Sequence, residues 1–372
     1  MARHTISSID PVGAAILSDA LQSHITPNTV KGYASAFKKW VRYCDARDIP
    51  YFPATEVWIC AYILEVSTSI SQDSLKWYLS AIHYHQGLEG FQWSINGSEL
   101  IRRTMRKTKR IYGSNGKGIK MPLSCNTLAA MFAHIPNYPM FGNMTHDDRL
   151  FVTASVIAVS AFLRGGEFLA YSGNQRRGLL QRDVIVVESE FAKSVEVSIA
   201  CPKNMWWLKS AKALCAIPTE GSALPILPWV MLVLYREFAR SAGVTLFDNG
   251  PAFVMQNGSP LNRDWMVAKS EALLKAAKIS FVDQSGRVAP VKAASWRAGG
   301  VRSALDANVP VPVIMELGRW RSMAWERYAL ITTRDKASAM ASMWSSTPHV
   351  LPSRVGSTCP ALVFASQDDV EA

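Results

Sequence analysis

The chain has 372 residues, 49% of them hydrophobic, so it can bury a sizeable core, which predicts two folded domains and excludes a wholly disordered chain. Forty lysines and arginines against 29 acidic residues leave a formal charge of +11, which favours nucleic acid as the partner over an acidic membrane surface. The longest apolar run, residues 151–163, is too short to span a bilayer. The six cysteines are widely spaced and form no Cys-x-x-Cys pair, which argues against a disulfide framework or a zinc ribbon.

Four helices are predicted at the start of the chain. They lie within residues 26–50, 56–67, 72–86 and 98–112. The first has Thr26 as its cap and Pro27 in its first turn, and the third ends at Gly87. The second is apolar almost all round, which predicts a position at the centre of a small bundle. We therefore expect residues 1–112 to form a compact helical domain.

Basic side chains are numerous on these helices and in residues 102–122, a segment without an acidic residue. The glycines and serine near its end indicate a basic linker, residues 113–122, that can lie along a phosphate backbone. A solvated helix end or a nuclear-import signal would have the same composition. The candidate DNA-binding residues are Lys31, Lys38, Lys39, Arg42, Lys76, Arg102, Arg103, Arg106, Lys107, Lys109, Arg110, Lys117 and Lys120.

From residue 123 onward the pattern changes. Helices are followed by three β-rich runs, within residues 183–189, 194–204 and 212–218, and helices then return as far as residue 345. The pattern predicts a second domain, 123–345, of α+β type, followed by an irregular tail, 346–372. The fold class is therefore mainly α with a small β-sheet.

Four segments of this second domain carry the side chains that phosphate chemistry needs. "AFLRGGEF" contains Arg164 and Glu167; "ACPKNMWW" contains Lys203 at the end of a predicted strand. "ASWRAGG" contains Arg297, and "GRWRSMAWERYAL" contains Trp320 and Tyr328. Two arginines suit the charge that spreads over a phosphate's nonbridging oxygens, because a guanidinium is always charged and forms paired hydrogen bonds.

In their order and spacing these segments resemble the tyrosine recombinase (phage integrase) family, over about residues 125 to 345. More weakly, the N-terminal helices resemble that family's core-binding (SAM-like) domain. The resemblance implies that Tyr328 attacks a DNA phosphate and forms a 3′-phosphotyrosine, and that Lys203 protonates the leaving 5′ oxygen. It also implies double-stranded DNA with a specific recombination site as substrate, a homotetramer on two duplexes passing through a Holliday junction, and no cofactor or metal.

The remaining roles follow the same resemblance. Arg164 and Arg297 are the two catalytic arginines, Glu167 is the supporting carboxylate, and Trp320 stands at the family's His-or-Trp position, where its indole nitrogen would bond the scissile phosphate. Each residue has a plainer reading as well: an ion pair or cap for Glu167, and core packing for Trp320 and Tyr328. Lys209 or Lys212 could replace Lys203 if the register of the hairpin differs. Before Tyr328, Ser322 is predicted to cap a surface helix.

One position departs from the family pattern. The second box usually reads His-x-x-Arg, but Ala294 stands where the histidine is expected. That histidine would assist proton transfer, a contribution on the order of 10² to 10⁴ in rate; Lys292 or a water could replace it. The resemblance therefore predicts a site-specific DNA recombinase or integrase of a mobile element. The alternatives are a slow recombinase, a protein of the same fold that binds DNA without cutting it, and a type IB topoisomerase. In each case we expect an intracellular protein that stays with the DNA and not with a membrane.

Overall fold

A computed structural model describes residues 12–13, 25–93, 97–112, 120–169, 178–188, 193–200, 210–215, 228–282 and 288–328. These fall into two compact units: unit 1 comprises residues 1–121 with 280–290, and unit 2 comprises residues 122–279 with 291–372. The return of residues 280–290 to unit 1 has no signal in the sequence; there the backbone N–H of Met121 donates to the carbonyl oxygen of Pro290 at 3.1 Å.

Unit 1 is a helical bundle. Its helices are α1 Pro27–Asp45, α2 Glu56–Val66, α3 Gln72–Leu88 and α4 Glu99–Tyr112. The predicted cap of α1 is confirmed, because the hydroxyl of Thr26 accepts a hydrogen bond from the backbone N–H of Thr29 at 3.3 Å. Helix α3 continues through Gly87, where the sequence analysis placed its end. Helices α1 and α3 pack together, as do α2 and α4, around Trp40, Tyr62 and other fully buried side chains.

The prediction that the second helix lies at the bundle centre is wrong for one face of α2. Tyr62 and Ile63 are buried, but Val57 is 66% exposed and Leu64 43% exposed. An apolar composition cannot show which face the neighbouring helices cover, because that depends on how few helices surround α2.

Unit 2 combines helices with one small sheet. Its helices are α5 Cys125–Phe132, α6 His146–Ser160, α7 Gly165–Phe168, α8 Pro228–Ser241, α9 Arg263–Ala276, α10 Ser295–Asp306 and α11 Val311–Leu317. The strands are β1 Val184–Glu188, β2 Lys193–Ala200 and β3 Ser210–Cys215, antiparallel in the order β1-β2-β3. These strands lie within or next to the three predicted runs, so the predicted fold class, mainly α with a small sheet, is confirmed.

Helix α6 forms the centre of unit 2. All its residues from Leu150 to Val159 are buried, as the apolar run in the sequence indicates. Helices α5, α8 and α10 pack against it. The indole N–H of Trp296 on α10 donates to the hydroxyl of Ser155 on α6 at 3.1 Å, which fixes the rotation of α10 about its axis.

Two adjacent glycines let α10 approach its neighbours closely. A Cβ on Gly299 would lie 1.9 Å from the carbonyl oxygen of Leu123, and a Cβ on Gly300 would lie 2.6 Å from that of Val159 at the end of α6. Only a residue without a side chain fits either position. The pair therefore places Arg297, on the same helix, next to the C-terminal end of α6.

We expect Gly299→Ala to destabilise unit 2. The added methyl would collide with a backbone oxygen that cannot rotate away, and overpacking of this kind costs about 1–3 kcal/mol. The midpoint of thermal unfolding, followed by circular dichroism, should fall by about 2–4 °C for each kcal/mol.

Gly142→Ala is the matched control in the same unit. Its Cβ would lie 3.5 Å from the Cζ atom of Phe238, an ordinary contact. Equal unfolding midpoints for the two variants would contradict the close approach of α10.

Candidate active site

The candidate site begins where α6 ends and the chain turns toward Arg164. The backbone N–H of Leu163 donates to the carbonyl oxygen of Ala158 at 2.9 Å, and Phe162 has a φ of +50°. This is the Schellman pattern of helix termination, in which glycine is the usual left-handed residue. Phenylalanine at this position is strained, and its carbonyl oxygen accepts hydrogen bonds from two arginine side chains.

Arg164 and Glu167 form an ion pair across the first turn of α7. The Nη1 atom of Arg164 donates to Oε1 of Glu167 at 2.7 Å, and the backbone N–H of Arg164 donates to Oε2 at 2.7 Å. The Arg164 side chain is 20% exposed. Glu167 therefore both caps α7 and orients the Arg164 guanidinium. The cap and the ion pair that the sequence suggested as separate roles are made by the same carboxylate.

Arg297 lies below the surface on α10 and is 1% exposed. Its Nη1 atom donates to the carbonyl oxygen of Phe162 and its Nη2 atom to that of Gly318. Its guanidinium carbon lies 4.1 Å from the ring centre of Trp320, a cation–π contact. The Nε atom is buried and has no hydrogen-bond partner among the described residues.

Arg164, Arg297, Arg319 and Glu167 form what we call the arginine cluster, with three guanidinium groups and one carboxylate. Burial, together with the charges of Arg164 and Arg319, lowers the pKa of Arg297 to about 9, and Glu167 opposes the shift. Arg297 still carries its charge at neutral pH. Because the cluster holds excess positive charge away from water, an anion bound there would be stabilised more strongly than in solvent.

Trp320 packs against the cluster. It is 6% exposed, and its ring meets that of Phe162 edge-on with 6.3 Å between centres. A Cβ on Gly318 would lie 1.6 Å from the Cζ3 atom of Trp320, while Gly318 itself has an ordinary φ of −84°. Gly318 is therefore needed for the close approach of the indole and not for the turn. A hydrogen bond from Trp320 to a phosphate stays a prediction.

Tyr328 follows a 3₁₀ helix, Met323–Arg327, and the predicted cap is confirmed, because the hydroxyl of Ser322 accepts a hydrogen bond from the backbone N–H of Ala324 at 3.4 Å. Residues three apart lie one above the other in a 3₁₀ helix, so Trp325 and Tyr328 both pack on the cluster around Trp320. The half-buried Tyr328 ring lies 5.5 Å from the Trp320 ring and 5.6 Å from the Arg297 guanidinium carbon. The structure therefore brings Tyr328 beside the arginine cluster.

Sequence reasoning missed Arg319. It has a φ of +57°, is 6% exposed in its side chain, and its Nη2 atom lies 3.1 Å from Oε2 of Glu167. The available signal was an arginine directly after the helix-ending Gly318, but a sequence does not show which residue of such a turn takes the left-handed conformation.

Ala294 lies immediately before the first residue of α10 and is half-buried. His146 is buried at the start of α6, with its Nε2 atom 2.7 Å from the carbonyl oxygen of Val254. Because α6 spans 15 residues, about 22 Å, His146 lies far from the arginine cluster at the other end. His134 is exposed after α5. Neither residue occupies the place of the expected histidine.

The proposed general acid, Lys203, lies outside the described residues, in the connection between β2 and β3. Lys209, its alternative, also lies outside them, as do Lys117 and the linker residues 113–119. Lys212 lies in β3, whose side chains are not described. The tail, 346–372, is likewise outside.

The described candidate DNA-binding residues lie in unit 1. All are exposed except Lys120, which is half-buried. Three of them share one carboxylate: Glu99 lies 2.6 Å from Arg102, 3.1 Å from Arg103 and 2.6 Å from Arg106. Helix α4 still presents six basic side chains against this one acid.

The described ranges contain no group of three or more His, Cys, Asp or Glu side chains placed to hold a metal ion. No helix in these ranges has both the length and the apolar character needed to cross a membrane.

We expect Gly318→Ala to displace the Trp320 ring and to destabilise unit 2 by about 1–3 kcal/mol. If the ring is the cause, the same substitution in a Trp320→Ala background should cost much less. A double-mutant cycle of unfolding free energies measures this difference. Equal costs in both backgrounds would show that Gly318 acts through the backbone alone.

No protein-family model matches the sequence, and no curated protein matches it. Solved structures do. The chain is similar to the Tn1549 transposon integrase in complex with transposon right end DNA, at 12% identity and a TM-score of 0.50, covering 88% of this chain and 98% of that one. It is also similar to the XerH site-specific recombinase bound to its difH substrate, at 15% identity and a TM-score of 0.51, covering 85% and 79% of the two chains. The chain therefore has the tyrosine recombinase fold.

Proposed function

We propose that this protein is a site-specific DNA recombinase that cuts and rejoins DNA through a 3′-phosphotyrosine at Tyr328. The observation that supports the proposal best is the convergence of Arg164, Arg297, Trp320 and Tyr328 at one place. These residues are up to 164 positions apart in the sequence, and chance would not gather a tyrosine and two arginines of the expected segments.

The chemistry follows from the cluster. The Tyr328 hydroxyl passes its proton to a water or to Lys292 as its oxygen attacks a backbone phosphorus; a phosphotyrosyl ester forms, and the bond to the 5′ oxygen breaks. Arg164 and Arg297 stabilise the negative charge on the nonbridging oxygens, and Lys203 supplies the proton to the leaving oxygen. A 5′-hydroxyl of the partner strand then attacks the ester and reverses the step. The ester conserves the energy of the broken bond, so the cycle consumes no nucleotide.

Access differs between the two arginines. Arg164 has exposed surface, whereas Trp320 and Tyr328 cover Arg297, whose two terminal nitrogens already donate to backbone carbonyl oxygens. We therefore propose that the phosphate meets Arg164 first. Arg297 then contributes through its charge from below, and by direct contact when the Tyr328 ring moves to attack.

DNA is the proposed partner because unit 1 carries a basic helix and because similar structures were solved with DNA. The phosphate backbone would lie along the exposed face of α4. By resemblance to the family, the active assembly is a tetramer on two duplexes, with exchange through a Holliday junction, in the service of a mobile element. We expect its target to be a specific sequence.

Tyr328 is the proposed nucleophile, and a covalent adduct with DNA tests it. A duplex that the protein binds, selected from a random-sequence library and then nicked so that the cut strand diffuses away, should trap a covalent adduct on a denaturing gel. Tyr328→Phe removes the attacking oxygen and should abolish the adduct while leaving DNA binding within about threefold.

A substitution at Ala294 distinguishes a recombinase that cuts DNA from a protein that only binds it. If a histidine there transfers a proton, Ala294→His should raise the rate of adduct formation by about tenfold or more. Ala307→His, at the exposed opposite end of α10, is the matched control and should leave the rate unchanged.

An adduct formed only after Ala294→His would identify a protein that holds DNA without cutting it, the second candidate function. A bound duplex that yields no adduct with either variant would reject the proposed reaction. Relaxation of supercoiled DNA without strand exchange would instead indicate a topoisomerase.

The basic face of α4 is the proposed contact with the phosphate backbone. Lys107, Lys109 and Arg110 form no ion pair with the described residues, so their charges are available to phosphates. Replacing all three with glutamine should weaken DNA binding and should reduce the slope of log affinity against log salt by up to about 2.7, at about 0.9 for each lost contact.

A control of equal charge change uses exposed basic residues of α8 and of the end of α9: Arg240, Lys275 and Lys278, also replaced with glutamine. This variant should keep a slope close to that of the original protein. Equal slopes for the two triple variants would remove α4 from the interface.

A further inference from the structure

Arg319 occupies a backbone position that seldom suits a long side chain. Helix α11 ends in a Schellman pattern: the backbone N–H of Arg319 donates to the carbonyl oxygen of Glu316 at 2.9 Å, and that of Trp320 donates to Met315 at 2.8 Å. Arg319 is the left-handed residue of this turn, with a φ of +57°, where glycine is usual. A strained backbone persists only where the surrounding contacts stabilise it.

The side chain makes those contacts with the turn at the end of α6. Its Nη1 atom donates to the carbonyl oxygen of Ala161 at 3.1 Å, and its Nη2 atom to that of Phe162 at 3.2 Å. These carbonyl oxygens lie just beyond the last residue of α6, beside the negative end of its dipole, which favours a cation. Burial lowers the pKa of Arg319, and the neighbouring Glu167 opposes the shift.

Arg319 also bonds Glu167, and this contact divides the carboxylate between two arginines. Arg319 bonds Oε2 at 3.1 Å, while the Arg164 guanidinium bonds Oε1 at 2.7 Å. Oε2 also accepts a hydrogen bond from the backbone N–H of Arg164 at 2.7 Å, but that bond lies within a helix of only four residues, so Arg319 is the contact that ties the carboxylate to a second element. Arg319, anchored on the α6 turn, therefore sets the direction in which Glu167 presents Oε1.

From these contacts we infer that Arg319 is a positioning residue for the reaction, and the inference rests on the proposed function. Arg319 does not touch DNA: its side chain is buried, and its terminal nitrogens bond protein oxygens. It fixes Glu167, and Glu167 in turn fixes the partly exposed Arg164 that receives the phosphate. Loss of Arg319 should leave Arg164 charged and present but poorly aimed.

The test compares Arg319→Gly, Glu167→Gln and the double variant. Glycine suits the left-handed position, so Arg319→Gly relieves backbone strain and preserves the turn. The measurements are the rate of adduct formation at saturating DNA and the DNA concentration that gives half of that rate. We expect Arg319→Gly to lower the saturated rate about tenfold or more and to change the half-saturating concentration less than about threefold.

Because both residues act through Arg164, their effects should not multiply. Adding Glu167→Gln to Arg319→Gly should lower the rate less than about threefold further, although Glu167→Gln alone should lower it about tenfold. Arg319→Lys should give an intermediate rate, since an ammonium keeps the charge but not the planar fork.

Arg236→Ala is the matched control for a buried arginine. Its side chain, like that of Arg319, donates to backbone carbonyl oxygens, here those of Gln181 and Val184, outside the arginine cluster. We expect it to lower the unfolding midpoint and to leave the saturated rate within about twofold.

Three results would overturn the inference while the proposed function stands: an unchanged rate in Arg319→Gly, effects of Arg319 and Glu167 that multiply, or a defect confined to DNA binding. Failure of the original protein, and of Ala294→His, to form an adduct on bound DNA would reject the proposed function, and the role of Arg319 in cleavage with it.

Discussion

The carbonyl oxygen of Phe162 is the acceptor on which the candidate site depends. Arg297 and Arg319 both donate to it, one from α10 and one from the end of α11. A residue in the left-handed conformation at the end of α6 turns this oxygen toward them, and the helix dipole adds to its negative potential. Two segments that lie 135 and 157 residues later in the sequence are thereby tied to one backbone turn.

The two helix ends at this place have the same design. Helices α6 and α11 both close with a Schellman pattern, and in both a bulky residue, Phe162 or Arg319, takes the position usual for glycine. Arg297 bridges them, donating to Phe162 and to Gly318. Hydrogen bonds between the two turns and from Arg297 offset the strain at each of them. The glycines of α10 make the bridge possible by letting that helix come close.

Arg164 and Arg297 differ in how far water can reach them. Arg164 faces outward with Glu167 behind it, and Arg297 lies beneath the rings of Trp320 and Tyr328. A buried guanidinium below a partly exposed one maintains a positive potential at the surface without exposing every donor to water. Because the Tyr328 ring covers Arg297, the movement that we propose for Tyr328 would also uncover that charge.

Several features of the structure follow from short patterns in the sequence. The Thr26 cap, the three strands, the apolar run that became α6 and the Arg164–Glu167 pair follow from spacing within a few residues, and the order of four segments indicated Tyr328 and the fold. Three other features are visible only in the folded protein: the exposed face of α2, the return of residues 280–290 to unit 1, and the contacts of Arg319. Each depends on which distant segments pack together, and in Arg319 the backbone conformation is stabilised by oxygens more than 150 residues earlier, which no local pattern encodes.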